Sequence, residues 1–197
     1  FGDSMQNNPM QKILIWLDQA KKSEINDPDA ISLATVDENG FPNVRTVLLR
    51  RVDEDSFVFF TNYGSKKAQE IVNSGKVAFS FHWKSLAKQI RVRGHAEKEE
   101  GQVADDYYYS RALGSRIGAW ASRQSEVLTD RQELLDRVSK AEMKFGNDPP
   151  RPSFWGGIRI HPLSIEFWEE GNSRLHQREL WTRSELKSNW SSTFLFP

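Results

Sequence analysis

The chain has 197 residues, with 27 basic and 27 acidic side chains, so formal net charge is zero and the length suits one domain with a substantial core. A neutral balance gives no global field for nucleic acid, and the absence of cysteine excludes disulfides and thiolate metal sites while allowing a reducing cytoplasm, so the expectation is a cytoplasmic protein with no metal. No apolar run reaches the roughly 18 residues of a membrane helix and no secretory leader opens the chain, so no membrane association is expected.

Pro9 to Lys22 reads as an amphipathic helix with Ile13, Leu14, Trp16 and Leu17 on its apolar stripe. Ile31–Val36 is a strand, Asp37-Glu38-Asn39-Gly40 a turn, Val44–Val52 a second strand and Phe57–Thr61 a third. Ser65 to Asn73 reads as a helix stopped by Asn73-Ser74-Gly75. Val77–Trp83 and Lys88–Ala96 are strands. Helices follow over Gly101–Ser110 and Glu126–Phe145, then a stiff Pro-rich loop to Pro152. Strands resume at Gly157–Ile160, Ser164–Trp168 and Glu179–Thr182. Consecutive strands joined by short turns predict a mainly β protein, an antiparallel barrel or sheet with peripheral helices. Glycine-rich nucleotide loops are missing, so a phosphate ligand would need side chains and helix ends.

Cations in awkward places are the main chemical signal. Arg45, Arg50 and Arg51 lie in the otherwise apolar run Thr46-Val47-Leu48-Leu49. Alternation puts Arg45 and Arg50 on opposite faces, so both reach one ligand only through a bulge or through different atoms. Lys66 and Lys67 fall in the first turn of a helix capped by Ser65, where the dipole disfavours cations; an anion there would offset that, and two solvated lysines are the alternative. Gln89, Arg91 and Arg93 share a face, read as solvated. Tyr107 and Arg111 are four apart on a helix and share a face. The small and hydroxylated residues from Ala112 to Ser125, with Arg116 and Arg123 among them, form either a phosphate-friendly surface or a packed inter-helix loop. If Ser173–Arg178 is a strand, Arg174, His176 and Arg178 share one side, either as an anion site or as a solvated edge.

The motifs Ser115-Arg116-Ile117-Gly118-Ala119-Trp120-Ala121-Ser122-Arg123-Gln124-Ser125, Ser153-Phe154-Trp155-Gly156-Gly157, Ile165-Glu166-Phe167-Trp168 and Arg174-Leu175-His176 resemble the pyridoxine/pyridoxamine 5′-phosphate oxidase family, in order and over nearly the whole chain. The resemblance implies that residues 1–197 form one antiparallel split β-barrel of the FMN-binding type, a homodimer with FMN at the subunit interface. It implies oxidation of pyridoxamine 5′-phosphate or pyridoxine 5′-phosphate to pyridoxal 5′-phosphate, with oxygen as acceptor and hydrogen peroxide released. By the same resemblance the flavin site comprises Arg45, Thr46, Val47, Leu48, Leu49, Arg50, Phe60, Thr61, Lys66, Lys67, Gln89, Gln124, Ser125, Trp168 and Arg178. The substrate site comprises Arg50, Tyr107, Arg111, Ser115, Arg174 and His176, with Arg174 and His176 as the catalytic pair. A sibling flavin oxidase on another substrate, or a non-enzymatic FMN- or pyridoxal-phosphate-binding protein, are the alternatives. The chain departs from the family pattern at Arg50 (lysine in the family), Lys66 (arginine), Phe60 (tyrosine), Gln177 (aspartate), Ala112-Leu113 (Pro-Arg) and Phe194-Leu195-Phe196-Pro197 (Arg-Leu-Ala-Pro).

Overall fold

The computed structural model describes residues 8–197. Helix α1 (Pro9–Ser23) opens with Pro9 at N1, and the Asn8 side chain accepts from Met10 N–H at 2.9 Å. Strands β1 (Ala30–Val36), β2 (Pro42–Val52) and β3 (Phe57–Asn62) follow, then α2 (Lys66–Ser74), β4 (Lys76–Trp83) and β5 (Lys88–Glu99). Three helices come next: α3 (Gln102–Ser110), α4 (Leu113–Ala121) and α5 (Arg131–Phe145). β6 (Trp155–Glu169), a single-turn 3₁₀ helix (Asn172–Arg174), β7 (Gln177–Thr182) and β8 (Ser191–Phe194) complete the described chain. All strand pairs are antiparallel. The order β3-β2-β1-β4-β5-β6 closes on itself because β3 also pairs with β6, and β7 and β8 extend from β6 beyond the barrel. This is the antiparallel split barrel with peripheral helices that the sequence predicts.

Several boundaries differ from expectation for identifiable reasons. The two strands expected at Gly157–Ile160 and Ser164–Trp168 are one: a bulge leaves Leu163 unpaired between Pro162, opposite Gly94, and Ser164, opposite Arg93, so the strand runs on past the proline. The helix expected from Glu126 starts at Arg131, where the Asp130 carboxylate accepts from Gln132 N–H at 2.9 Å. The segment Ala112–Ser125 contains α4 rather than only a loop. Ser173–Arg178 is not a strand throughout: Ser173 and Arg174 have left-handed φ values of 55° and 64°, and β7 begins at Gln177. β8 had no signal in the sequence.

The barrel interior is apolar and aromatic. Phe57, Phe59, Phe81, Ile90, Val92, Ile158, Ile160 and Ile165 are fully buried, and α1 adds Met10, Ile13 and Trp16. Phe57 meets Phe79 edge-on at 5.1 Å, and Trp16 meets Phe167 at 5.2 Å, the favourable geometry for ring quadrupoles. At the start of β6, Gly156 and Gly157 permit close approach: a Cβ on Gly156 would overlap the Tyr63 ring, and one on Gly157 would press on Glu99. The Tyr63 hydroxyl is shared between the carbonyls of Glu99 and Gly157, each at 3.2 Å.

Burial, reinforced by Glu100, pushes the Tyr63 phenol up to about 12 from its ordinary 10.0. A raised folded pKa contributes stability that is complete below the unfolded value and is lost as pH climbs from 10.0 through about 12. Tyr63→Phe is expected to destabilise the protein by about 1 kcal/mol at neutral pH and to remove this part of the alkaline loss, measured by urea unfolding across that pH range.

Candidate functional site

A cavity of about 600 Å³ opens between β2, β3 and the α3–α4 pair. Arg45, Thr46, Val47, Leu48 and Arg50 reach it from β2, Phe60 and Thr61 from β3, and Lys67 from α2. Tyr107, Arg111, Ser115 and Gln124 line the other side. Arg45 and Arg50 both contribute, and the β2–β3 register shifts between Leu49 and Arg51, a bulge being one of the two routes open to them. Leu49 points away from the cavity and is buried in the core. Lys66 is exposed and does not line the cavity, since consecutive helical residues diverge by about 100°. Its backbone N–H, at the α2 N-terminus, is taken by the Ser125 hydroxyl at 3.2 Å.

The cavity has an aromatic wall and two cations without counter-charges. Phe60 stacks on Tyr107 at 4.0 Å and 19°, and Trp155 continues the stack 5.7 Å from Phe60. The Arg111 guanidinium lies 4.7 Å from the Trp155 ring centroid, and its Nη1 is buried without a hydrogen-bond partner among the described residues. Burial lowers the Arg111 pKa, opposed by Tyr107 and Tyr108. Lys67 is only 9% exposed, and its ammonium donates to the Thr61 hydroxyl at 3.3 Å; no carboxylate among the described residues pairs with it. Burial first, then neighbouring Arg45, lowers the Lys67 pKa below the ordinary 10.5. The Thr61 hydroxyl in turn donates to Gln124 Oε1 at 3.1 Å. Buried positive charge left unpaired is costly, and an anion in the cavity relieves it.

The remaining predicted residues gather elsewhere in the chain. Gln89 on β5 pairs with Trp168 on β6, which pairs with Arg178 on β7. The His176 ring lies 4.7 Å from Trp168, and its Nδ1 accepts from Gly171 N–H at 3.3 Å. Arg178 Nε donates to Glu166 Oε1 at 2.8 Å and its Nη1 to the Phe196 carbonyl at 3.0 Å. Arg174 is exposed on the left-handed turn and forms no ion pair among the described residues. Trp155, in the cavity, and Trp168, in this second cluster, are separated by about 40 Å of β6. One copy of the chain therefore holds the predicted residues as two groups.

Two family models match the chain in succession. Residues 17–145 match the model described as pyridoxamine 5′-phosphate oxidase, and residues 155–197 match the pyridoxine 5′-phosphate oxidase C-terminal dimerisation region. The chain belongs to the pyridoxine/pyridoxamine 5′-phosphate oxidase family. A pyridoxine/pyridoxamine 5′-phosphate oxidase of Cereibacter sphaeroides is 58% identical over 182 residues, covering 92% of this chain and 91% of the relative. One from Roseobacter denitrificans is 52% identical over 196 residues, covering 100% and 98%. Among solved structures, PhzG from Burkholderia lata 383, in complex with tetrahydrophenazine-1-carboxylic acid, is similar with a TM-score of 0.90 at 28% identity, covering 97% of this chain and 93% of that one. An FMN binding protein of Nostoc punctiforme shares the fold, with a TM-score of 0.75 at 17% identity over 96% and 97% of the two chains.

Within this pyridoxine/pyridoxamine 5′-phosphate oxidase chain, the cavity also includes residues absent from the predicted set: Asn62, Gly118, Ala119, Ser122 and Trp155. Their signal was available. Ser115, Gly118, Ala119 and Ser122 recur at helical spacing, and Trp155 opens the Trp-Gly-Gly run.

A lysine with a lowered folded pKa destabilises the protein fully below that pKa, and stability recovers as pH rises toward 10.5. Lys67→Met is expected to raise the melting temperature of the ligand-free protein at pH 7 by about 2–4 °C and to flatten the rise with pH. Inorganic phosphate is expected to stabilise the parent chain and to lose most of that effect in the variant, checked by calorimetry.

Proposed function

We propose that this chain oxidises pyridoxamine 5′-phosphate or pyridoxine 5′-phosphate to pyridoxal 5′-phosphate, with FMN bound between two copies and oxygen as electron acceptor. The alcohol plus oxygen yields the aldehyde and hydrogen peroxide; the amine additionally takes up water and releases ammonia. The observation that carries this reading is a pair of cations without counter-charges among the described residues, buried Lys67 and half-buried Arg111, in one cavity with a flat aromatic wall. They mark two places for phosphate beside a surface suited to planar rings.

FMN, when bound, supplies the two-electron acceptor. Lys67 and Arg45, with Thr61, Gln124 and Ser125 around them, hold its phosphate; Phe60 and the β2 residues Thr46 to Arg50 border the rest. Lys66 and Leu49 are given no part in the grip: their side chains point elsewhere, the Lys66 N–H goes to the Ser125 hydroxyl, and the Leu49 N–H goes to the Asp29 carbonyl at 2.9 Å. Arg111, Tyr107 and Ser115 grip the substrate phosphate, and Arg50 stands at the rim, tied to Asp29 at 2.7 Å. The grip fixes the reacting carbon and converts an encounter into a positioned reaction.

Gln89, Trp168, Arg174, His176 and Arg178 come from the second copy. The length of β6 between the two groups supports that assignment, as does the match of residues 155–197, which hold all of these but Gln89, to a dimerisation region. Arg174 offers a planar fork of donors and no acceptor, and it orients the substrate. In neutral His176 the Nδ1 lone pair accepts from Gly171, so Nε2 carries the hydrogen and donates. His176 therefore positions an acceptor atom of the substrate.

A second reading, a sibling flavin oxidase, is favoured by the likeness to PhzG, which was solved with a tricyclic acid. The Tyr107–Arg111–Ser115 grouping and the relatives at 52–58% identity favour the phosphorylated pyridine.

Purified protein loaded with FMN and given pyridoxamine 5′-phosphate in air is expected to produce pyridoxal 5′-phosphate and hydrogen peroxide; no turnover, or turnover only on a dihydrophenazine-type acid, would overturn the assignment. Arg111→Ala is expected to raise KM at least tenfold, and Arg174→Ala to lower kcat as well. A mixture of the two impaired variants, refolded together, has one intact site in each mixed dimer. Activity is therefore expected to return to about a quarter of the parent level. No recovery would place both groups of residues in one copy.

A further inference from the structure

Glu70 is a buried carboxylate for which the proposed reaction has no use. It is 5% exposed on α2, one turn after Lys67. Its Oε2 accepts from the Thr35 hydroxyl at 2.5 Å and its Oε1 from Asn43 Nδ2 at 2.6 Å. Arg45 Nη1 donates to that same Thr35 hydroxyl at 2.5 Å, and Arg45 Nη2 lies 3.5 Å from Glu70 Oε2. Thr35 has no exposed surface. Its single hydroxyl hydrogen goes to Glu70, so its oxygen is free to receive the guanidinium, and the three groups form a directed chain. Arg45 also donates to the carbonyls of Leu33 and Asn43, each at 3.3 Å. These contacts hold the guanidinium by one edge while it lines the cavity.

We infer that Glu70 is a positioning residue, which aims Arg45 into the cavity through Thr35 and so sets the affinity for the cofactor's phosphate. The same helix then supplies one cation directly, Lys67, and orients the other through Glu70. Glu70, 3.5 Å from Arg45 Nη2, offsets part of the positive charge that Arg45 brings beside Lys67. This inference rests on the proposed flavin-phosphate site.

The test compares FMN with riboflavin, which has the same ring and no phosphate, by flavin-fluorescence titration of the full-length chain stripped of cofactor. Glu70→Gln keeps the volume and an acceptor for Thr35 but removes the charge that anchors Arg45. FMN affinity is expected to fall about tenfold or more, with riboflavin affinity changed less than about twofold. In an Arg45→Ala background the same substitution is expected to change FMN affinity by less than about twofold, since the residue acts through Arg45. Equal losses for FMN and riboflavin, or additive losses with Arg45→Ala, would overturn the inference and leave Glu70 a packing residue. If Glu70→Gln binds neither flavin, Thr35→Val decides by the same comparison, because it cuts the chain at its middle and leaves the carboxylate in place. An Arg45→Ala single variant with unchanged FMN affinity would instead refute the flavin-phosphate site itself.

Discussion

The site depends on what β6 joins. At its N-terminal end this strand closes the barrel against β3, with Gly156 letting the Tyr63 ring sit close to the backbone. At its other end it carries β7, with Trp168 beside His176. A hydrogen-bonded strand is stiff, so these ends cannot fold toward one another within one copy. Every residue assigned to the chemistry belongs to one end or the other, and the division of labour between copies follows from that rigidity.

Within the cavity, cost and use coincide. Lys67 and Arg111 give up hydration without gaining a carboxylate, which a fold selected for stability alone would avoid. The aromatic stack of Tyr107, Phe60 and Trp155 explains how they are tolerated. Arg111 rests on the Trp155 face, a cation–π contact that replaces part of its lost solvation. Lys67 has the Thr61 hydroxyl alone. Beside the cavity, Ser125, whose hydroxyl meets the α2 N-terminus, holds a left-handed φ that L residues seldom adopt.

The barrel was legible because its strands alternate or run apolar between clear turns. The bulge in β2 was legible as one of two ways for arginines five apart to reach one space, the other being contact through different atoms. Less visible was anything decided by tertiary contact. Nothing local tells Lys66 from Lys67; the docking of α2 buries one and leaves the other outside. The Arg174 segment alternates like a strand, yet Gly171 packs so tightly against the Leu175 carbonyl that the chain must turn. Pro162 looks like a strand breaker, and only its partner strand shows the bulge that accommodates it. β8 is four residues of Ser-Ser-Thr-Phe, too short and polar to announce itself before β7 is in place. The motifs behind the family resemblance mapped onto both residue groups, but they gave no sign that the groups lie at opposite ends of a strand.

The separation of Trp155 from Trp168 along β6 also has a consequence in solution. With the proposed site shared between copies, ligand capture and self-association become a single coupled equilibrium: dilution that parts the copies weakens binding, and saturating ligand draws the copies together. Affinity for such a site has no fixed value apart from the protein concentration at which it is measured, until that concentration far exceeds the point of half-dissociation.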